Sequence, residues 1–117
     1  MKIIDKSRIE LRNGFDGREY LFTVEDNQNR FFRFYISISN TALWSAKFDS
    51  LQDDYLIDFF QFQLAEILKD FHPHDYVRDD GSVPLEYEFR TIDSDYCKFG
   101  DQSLIRVYQD HGLKKLN

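Results

Sequence analysis

The sequence predicts an α+β domain: an antiparallel β-meander of three to four strands, covered by one long helix and followed by a C-terminal β-hairpin. Three observations lead there. Residues 19–25 and 32–39 alternate apolar and polar side chains, the period of a strand with one buried face. Residues 53–71 place apolar side chains three and four apart, the period of an amphipathic helix. Two further short runs, Glu86–Ile92 and Ser103–Gln109, have strand character and are linked through Phe99-Gly100-Asp101.

The first strand is expected over Arg8–Arg12, with Ile9 and Leu11 on one face. Asn13-Gly14 and Asp16-Gly17 are turn dipeptides, suited to positive φ. In the second strand Tyr20, Phe22 and Val24 share a face. Asp26-Asn27-Gln28-Asn29 then reads as a hairpin turn. The third strand is the clearest: Phe32, Phe34, Ile36 and Ile38 point one way, and Arg33, Tyr35, Ser37 and Ser39 the other. After Asn40, the alternation of Ala42, Trp44, Ala46 and Phe48 suggests a fourth strand. Such a meander has one apolar face to cover.

The cover follows directly. Asp49 or Ser50 is expected to cap a helix, with Ser50 and Asp53 spaced as a capping box. Asp53 and Asp54 suit the positive end of its dipole. Leu56, Ile57, Phe60, Leu64, Ile67, Leu68 and Phe71 form the core-facing stripe. Pro73 disfavours helical geometry at His72 and stops the helix near Phe71. A polar loop over 72–84 and a frayed tail over 112–117 complete the reading.

A chain of 117 residues suits one domain, spanning 1–117, with a core large enough to need no metal or disulfide. Cys97 is the sole cysteine, so no intrachain disulfide forms. Asp5 interrupts the N-terminal apolar run, and no segment approaches the roughly 18 apolar residues of a membrane span. A soluble, cytoplasmic protein is the expectation.

The net charge of −6 is concentrated. Between Asp49 and Asp80 nine acids face two bases, Lys69 and Arg78, while the flanks are near neutral. Such a field disfavours direct nucleic-acid binding and favours a basic partner. The 12 Phe and 7 Tyr are more rings than one small core readily holds, and spare aromatics are what interfaces use. Arg8, Arg12, Arg18, Arg30 and Arg33 are scattered over the meander. They read as cross-strand ion pairs rather than as an RNA-binding sheet.

Those spare rings have a location. Tyr55, Phe59 and Phe62 lie at i, i+4 and i+7 on the predicted helix, away from its core stripe. Glu66 continues the line, and Asp58 and Asp70 flank it. Either the C-terminal hairpin covers this second stripe, or it is an aromatic binding face rimmed by carboxylates.

Catalytic and metal chemistry are poorly supported. His72, His74 and Asp75, with Asp79 and Asp80 nearby, are metal-ligand types at an unfavourable spacing, with Pro73 between the histidines. Cys97 with His72, His74 or His111 is the remaining nucleophile–base combination, and a packed core thiol is its simpler identity. No Gly-rich phosphate loop, nucleophile elbow or paired-cysteine motif occurs, so no cofactor is expected.

The expectation is therefore a small, acidic, non-catalytic protein-binding module whose helix presents Tyr55, Asp58, Phe59, Phe62, Glu66 and Asp70 to a basic protein. Immunity proteins and phage-encoded inhibitors, which mask nucleases or nucleic-acid-binding proteins, share this surface character. The alternatives are a small metal-dependent enzyme built on the His72–Asp80 loop and a homodimer that buries the second stripe.

Overall fold

The computed structural model describes residues 2–10, 16–69, 75–78, 80–91 and 114–115. In chain order they form β1 (Lys2–Ile9), β2 (Gly17–Glu25), β3 (Phe31–Ser39), α1 (Asn40–Ser45), α2 (Asp53–Leu68), β4 (Tyr76–Val77), β5 (Glu86–Thr91) and β6 (Lys114–Lys115). The architecture is α+β: a mostly antiparallel sheet ordered β1-β2-β3-β5, with α2 on one face, and a separate pair formed by β4 and β6.

The centre of the sheet follows from the alternation. Antiparallel pairing sets Tyr20 opposite Ile36 and Phe22 opposite Phe34. Tyr20, Phe22, Val24, Phe32, Phe34, Ile36 and Ile38 all fall on one face, and each is at most 1% exposed. A one-residue slip would turn this whole set to solvent, which is why one register wins. Leu56, Phe60, Leu64 and Leu68, one turn apart along α2, close over it. Tyr20 meets Phe60 at 5.6 Å between ring centroids, and Tyr87 of β5 stacks on Phe34 at 5.1 Å. Fully burying each such side chain contributes roughly 1.5–3 kcal/mol.

The β2–β3 hairpin turns where expected. Asn29 takes φ 59°, and Asp26 Oδ1 accepts hydrogen bonds from the Gln28 and Arg30 amides at 2.8 and 2.9 Å. Burial opposes the charge on Asp26, but these bonds and the Arg30 guanidinium outweigh it and hold the carboxyl below its usual range. Gly17, in contrast, is no turn residue. It opens β2, where a Cβ would lie 2.0 Å from the Ile38 carbonyl oxygen, so only glycine permits this close strand approach.

Several expectations are corrected. The first strand runs over Lys2–Ile9 rather than Arg8–Arg12. Almost all its side chains are exposed, so it carries no strong alternation and is held by backbone pairing to β2. The predicted fourth strand over Ala42–Phe48 is instead the short helix α1. Ser39 caps it, its Oγ accepting from the Ala42 amide at 3.1 Å, and Ala42 and Leu43 are both buried while Trp44 is exposed. Neither Asp49 nor Ser50 caps α2. Gln52 occupies that position without a side-chain bond, and Asp53 is engaged elsewhere. The helix ends at Leu68, with Phe71 outside the described residues.

The C-terminal half differs in kind. β5 pairs with β3 in parallel, adding a fourth strand to the main sheet. Its expected hairpin partner over 103–109 lies outside the described residues. The 72–84 loop contains β4, which pairs with Lys114–Lys115, so this part of the tail is a strand and not frayed. On the sheet face away from α2, the cross-strand partners Glu19 and Ser37 are only 2% exposed, so that face is not wholly in water.

Candidate functional site

The start of α2 is fixed by a polar cluster that ties helix to sheet. Arg8 donates to both Asp53 carboxylate oxygens at 2.8 and 3.1 Å, and the Tyr20 hydroxyl donates to Oδ1 at 3.0 Å. Arg18 donates to the carbonyls of Leu51 at 2.8 Å and Asp49 at 3.1 Å, holding the turn before the helix. Burial opposes the charge on Asp53, but the bonds from Arg8 and Tyr20 and the positive charges of Arg8 and Arg18 keep its carboxyl below the usual range. Burial pushes the Tyr20 phenol up to about 12, so it stays protonated and serves as a donor. The cluster orients an element; it has no free base or nucleophile.

A second device sets one edge of α2. Helix α1 ends in a Schellman-type turn. Lys47 takes φ 61°, its amide donates to Trp44 O at 3.0 Å, and the Phe48 amide donates to Leu43 O at 2.8 Å. The turn delivers Phe48 edge-on to Phe59 at 5.3 Å. Phe59 also meets Phe60 at 5.6 Å and is partly buried against the core.

The predicted second stripe is therefore divided. Phe59 belongs to the packing. Tyr55 and Phe62 are 56% and 69% exposed on the helix side turned from the sheet. Asp58 lies between them, three residues after Tyr55 and four before Phe62, with its side chain 77% exposed. Lys6 of β1 reaches across to it, Nζ standing 3.6 Å from Oδ1 while also donating to Gln61. Glu66 accepts from Lys69 at 2.8 Å. Asp54 in the first turn is exposed. Asp70 lies outside the described residues.

Two placements differ from what the sequence pattern suggests. Trp44, expected on a fourth strand, is 72% exposed on α1, the turn of which carries Phe48. Ser39 as a helix cap was the local signal that could have revealed this. Lys6 had no signal at all, because its role depends on β1 lying beside α2.

The other candidates fare differently. His72, His74, Cys97 and His111 lie outside the described residues, and Asp75 is partly buried next to β4. Among the described residues no group of three or more metal-ligand side chains comes together. Four of the described arginines are tied internally: Arg8 to Asp53, Arg18 to the turn, Arg30 to Asp26 at 2.7 Å and Arg33 to Glu86 at 3.3 Å. A groove of about 580 Å³ between the start of β3 and the approach to β5 exposes Phe31 and Leu85 beside Arg33 and Arg78. No helix among the described residues is long and apolar enough to cross a membrane. No family model, no curated protein and no solved structure matches the chain.

Proposed function

We propose that this chain is a small acidic protein-binding module of the inhibitor or immunity type, which masks a basic nucleic-acid-binding or nuclease partner through the outer face of α2. The observation that carries the reading is the exposure of Tyr55 and Phe62 on a helix that already buries Leu56, Phe60, Leu64 and Leu68. Neither ring belongs to the buried core. Large rings beside carboxylates supply what a protein interface needs: apolar area for affinity and charge for steering. The concentration of acids between Asp49 and Asp80 supports a positively charged partner.

A photo-crosslinking amino acid placed at position 62 tests this in cells of the native host. Position 27, exposed in the β2–β3 turn, serves as the control. The reading expects a discrete adduct with a basic protein at 62 and none at 27. An adduct with a second copy of the chain would replace it with a homodimer. No adduct at 62 would remove it.

A further inference from the structure

We propose that the Tyr55–Asp58–Phe62 row of α2 is an arginine-selective cradle. It takes arginine side chains of the partner, one guanidinium flat against each ring, with the Asp58 carboxylate between the rings to pair with them. The inference rests on the reading of α2 as the partner-binding face and names the chemistry recognised there.

The geometry is that of the helix itself. Residues at i, i+3 and i+7 fall within about 60° of arc, and at a rise of 1.5 Å per residue Tyr55 and Phe62 are about 10 Å apart along the axis, with Asp58 between them. The row thus alternates ring, carboxylate, ring.

The cradle already holds a cation. Lys6 Nζ sits 3.6 Å from Asp58 and bonds Gln61, standing in for a group from outside. Its side chain and that of Asp58 are 41% and 77% exposed, and such surface pairs contribute little to stability. An incoming cation displaces Lys6 at small cost, and the Gln61 amide oxygen remains for the ammonium.

The chain also builds the proposed triad within itself. Arg30 Nε donates to Asp26 Oδ2 at 2.7 Å while its guanidinium carbon stands 5.9 Å from the centre of the Phe32 ring. Arginine suits this combination better than lysine. Its planar, weakly hydrated head can stack on a ring and still donate in its own plane to a carboxylate, whereas an ammonium is a compact, strongly hydrated point charge. Charge complementarity reinforces the choice, since a chain of net charge −6 draws cationic segments and repels acidic ones.

The test titrates the intact chain with fluorescent nona-arginine and nona-lysine peptides at matched ionic strength. The wild type is expected to bind nona-arginine about tenfold more tightly, the scale of two exposed cation–π contacts. Replacing both rings (Tyr55→Leu with Phe62→Leu) keeps the apolar area and should bring the ratio close to one while leaving nona-lysine binding unchanged. Asp58→Asn should weaken both peptides, and Lys6→Gln should strengthen both. Circular dichroism establishes that each variant is folded. If the double variant is not, each single leucine variant should still lose about a third to a half of the preference on a logarithmic scale. Equal affinity of the wild type for the two peptides, or a preference that survives the leucine changes, overturns the cradle but leaves a protein-binding α2 standing. Binding of neither peptide overturns both.

Discussion

Replacing Phe59, Phe60 and Phe62 one at a time with alanine probes three environments within four residues of one helix. Phe60 is fully buried, and Phe60→Ala should cost about 3–5 kcal/mol through lost transfer energy and an incompletely collapsed cavity. Phe59 is partly buried and meets Phe48 and Phe60 in edge-on geometry at 5.3 and 5.6 Å. Roughly half of a full burial, plus about 0.5–1.5 kcal/mol for the aromatic pairs, gives a cost of about 2–4 kcal/mol. Phe62 is 69% exposed. It has little burial to lose, and alanine favours the helix by about 0.5 kcal/mol, so Phe62→Ala should be neutral or slightly stabilising. Urea unfolding at constant slope separates these outcomes. If Phe62→Ala costs as much as Phe59→Ala, the outer ring is covered in the folded monomer and the binding-face argument collapses. If Phe59→Ala is neutral, the Phe48 contact does not form and the turn after α1 is misplaced.

Other positions give sharper tests of the frame. Gly17→Ala should destabilise by about 3 kcal/mol or more, because its Cβ meets the Ile38 backbone at 2.0 Å and the two strands must part; equilibrium melts read this directly. Lys47→Gly should stabilise by about 1 kcal/mol by relieving the left-handed conformation at φ 61°, and an unchanged melting midpoint would refute that geometry. Asp53 has a carboxyl held below its ordinary range in the fold. Its contribution is therefore present above the unfolded value near about 3.9 and is lost as pH falls through the lower folded value. Asp53→Asn should accordingly lower stability at pH 7 and flatten the acid limb of a stability–pH curve, while an acid limb parallel to wild type would show that the carboxylate carries no such linkage.

What the sequence disclosed, and what it hid, divides along physical lines. Alternation in β2 and β3 was readable because only one face of each strand meets the helix, so Phe22 and Phe34 recur at period two. Strand β1 was mostly unreadable, since an edge strand held through its backbone has no need for an apolar face. Ala42, Trp44, Ala46 and Phe48 alternate by accident; the Ser39 cap and the left-handed turn at Lys47 bound a short helix. Periodicity also says nothing about neighbours. It gave Glu86–Ile92 as a strand, close to the observed Glu86–Thr91, but could not say that β3 would receive it in parallel. The same limit acts at the candidate site. Helical spacing grouped Tyr55, Phe59 and Phe62 correctly by angle, but the ring that takes Phe59 out of the group comes from a turn five residues before the helix.

The two cations that β1 sends to α2 show how one interface can serve both folding and recognition. Arg8 bonds Asp53 through both oxygens where the carboxylate is only 35% exposed and already accepts from Tyr20, so breaking that pair disturbs a joint between helix and sheet. Lys6 meets Asp58 at 3.6 Å on a carboxylate that is 77% exposed, so breaking that pair costs little. The first anchors the helix; the second can be exchanged. The edge strand that supplies them is itself poorly suited to strand addition. Its register shifts between Ile3 and Asp5, and Lys2, Lys6 and Arg8 are exposed along it, features that blunt pairing with another chain. Between that edge and the outer face of α2, the helix suits the proposed recognition better: contacts there would run through side chains, on a surface where the anchoring charge is locked and the neighbouring one is free to change partners.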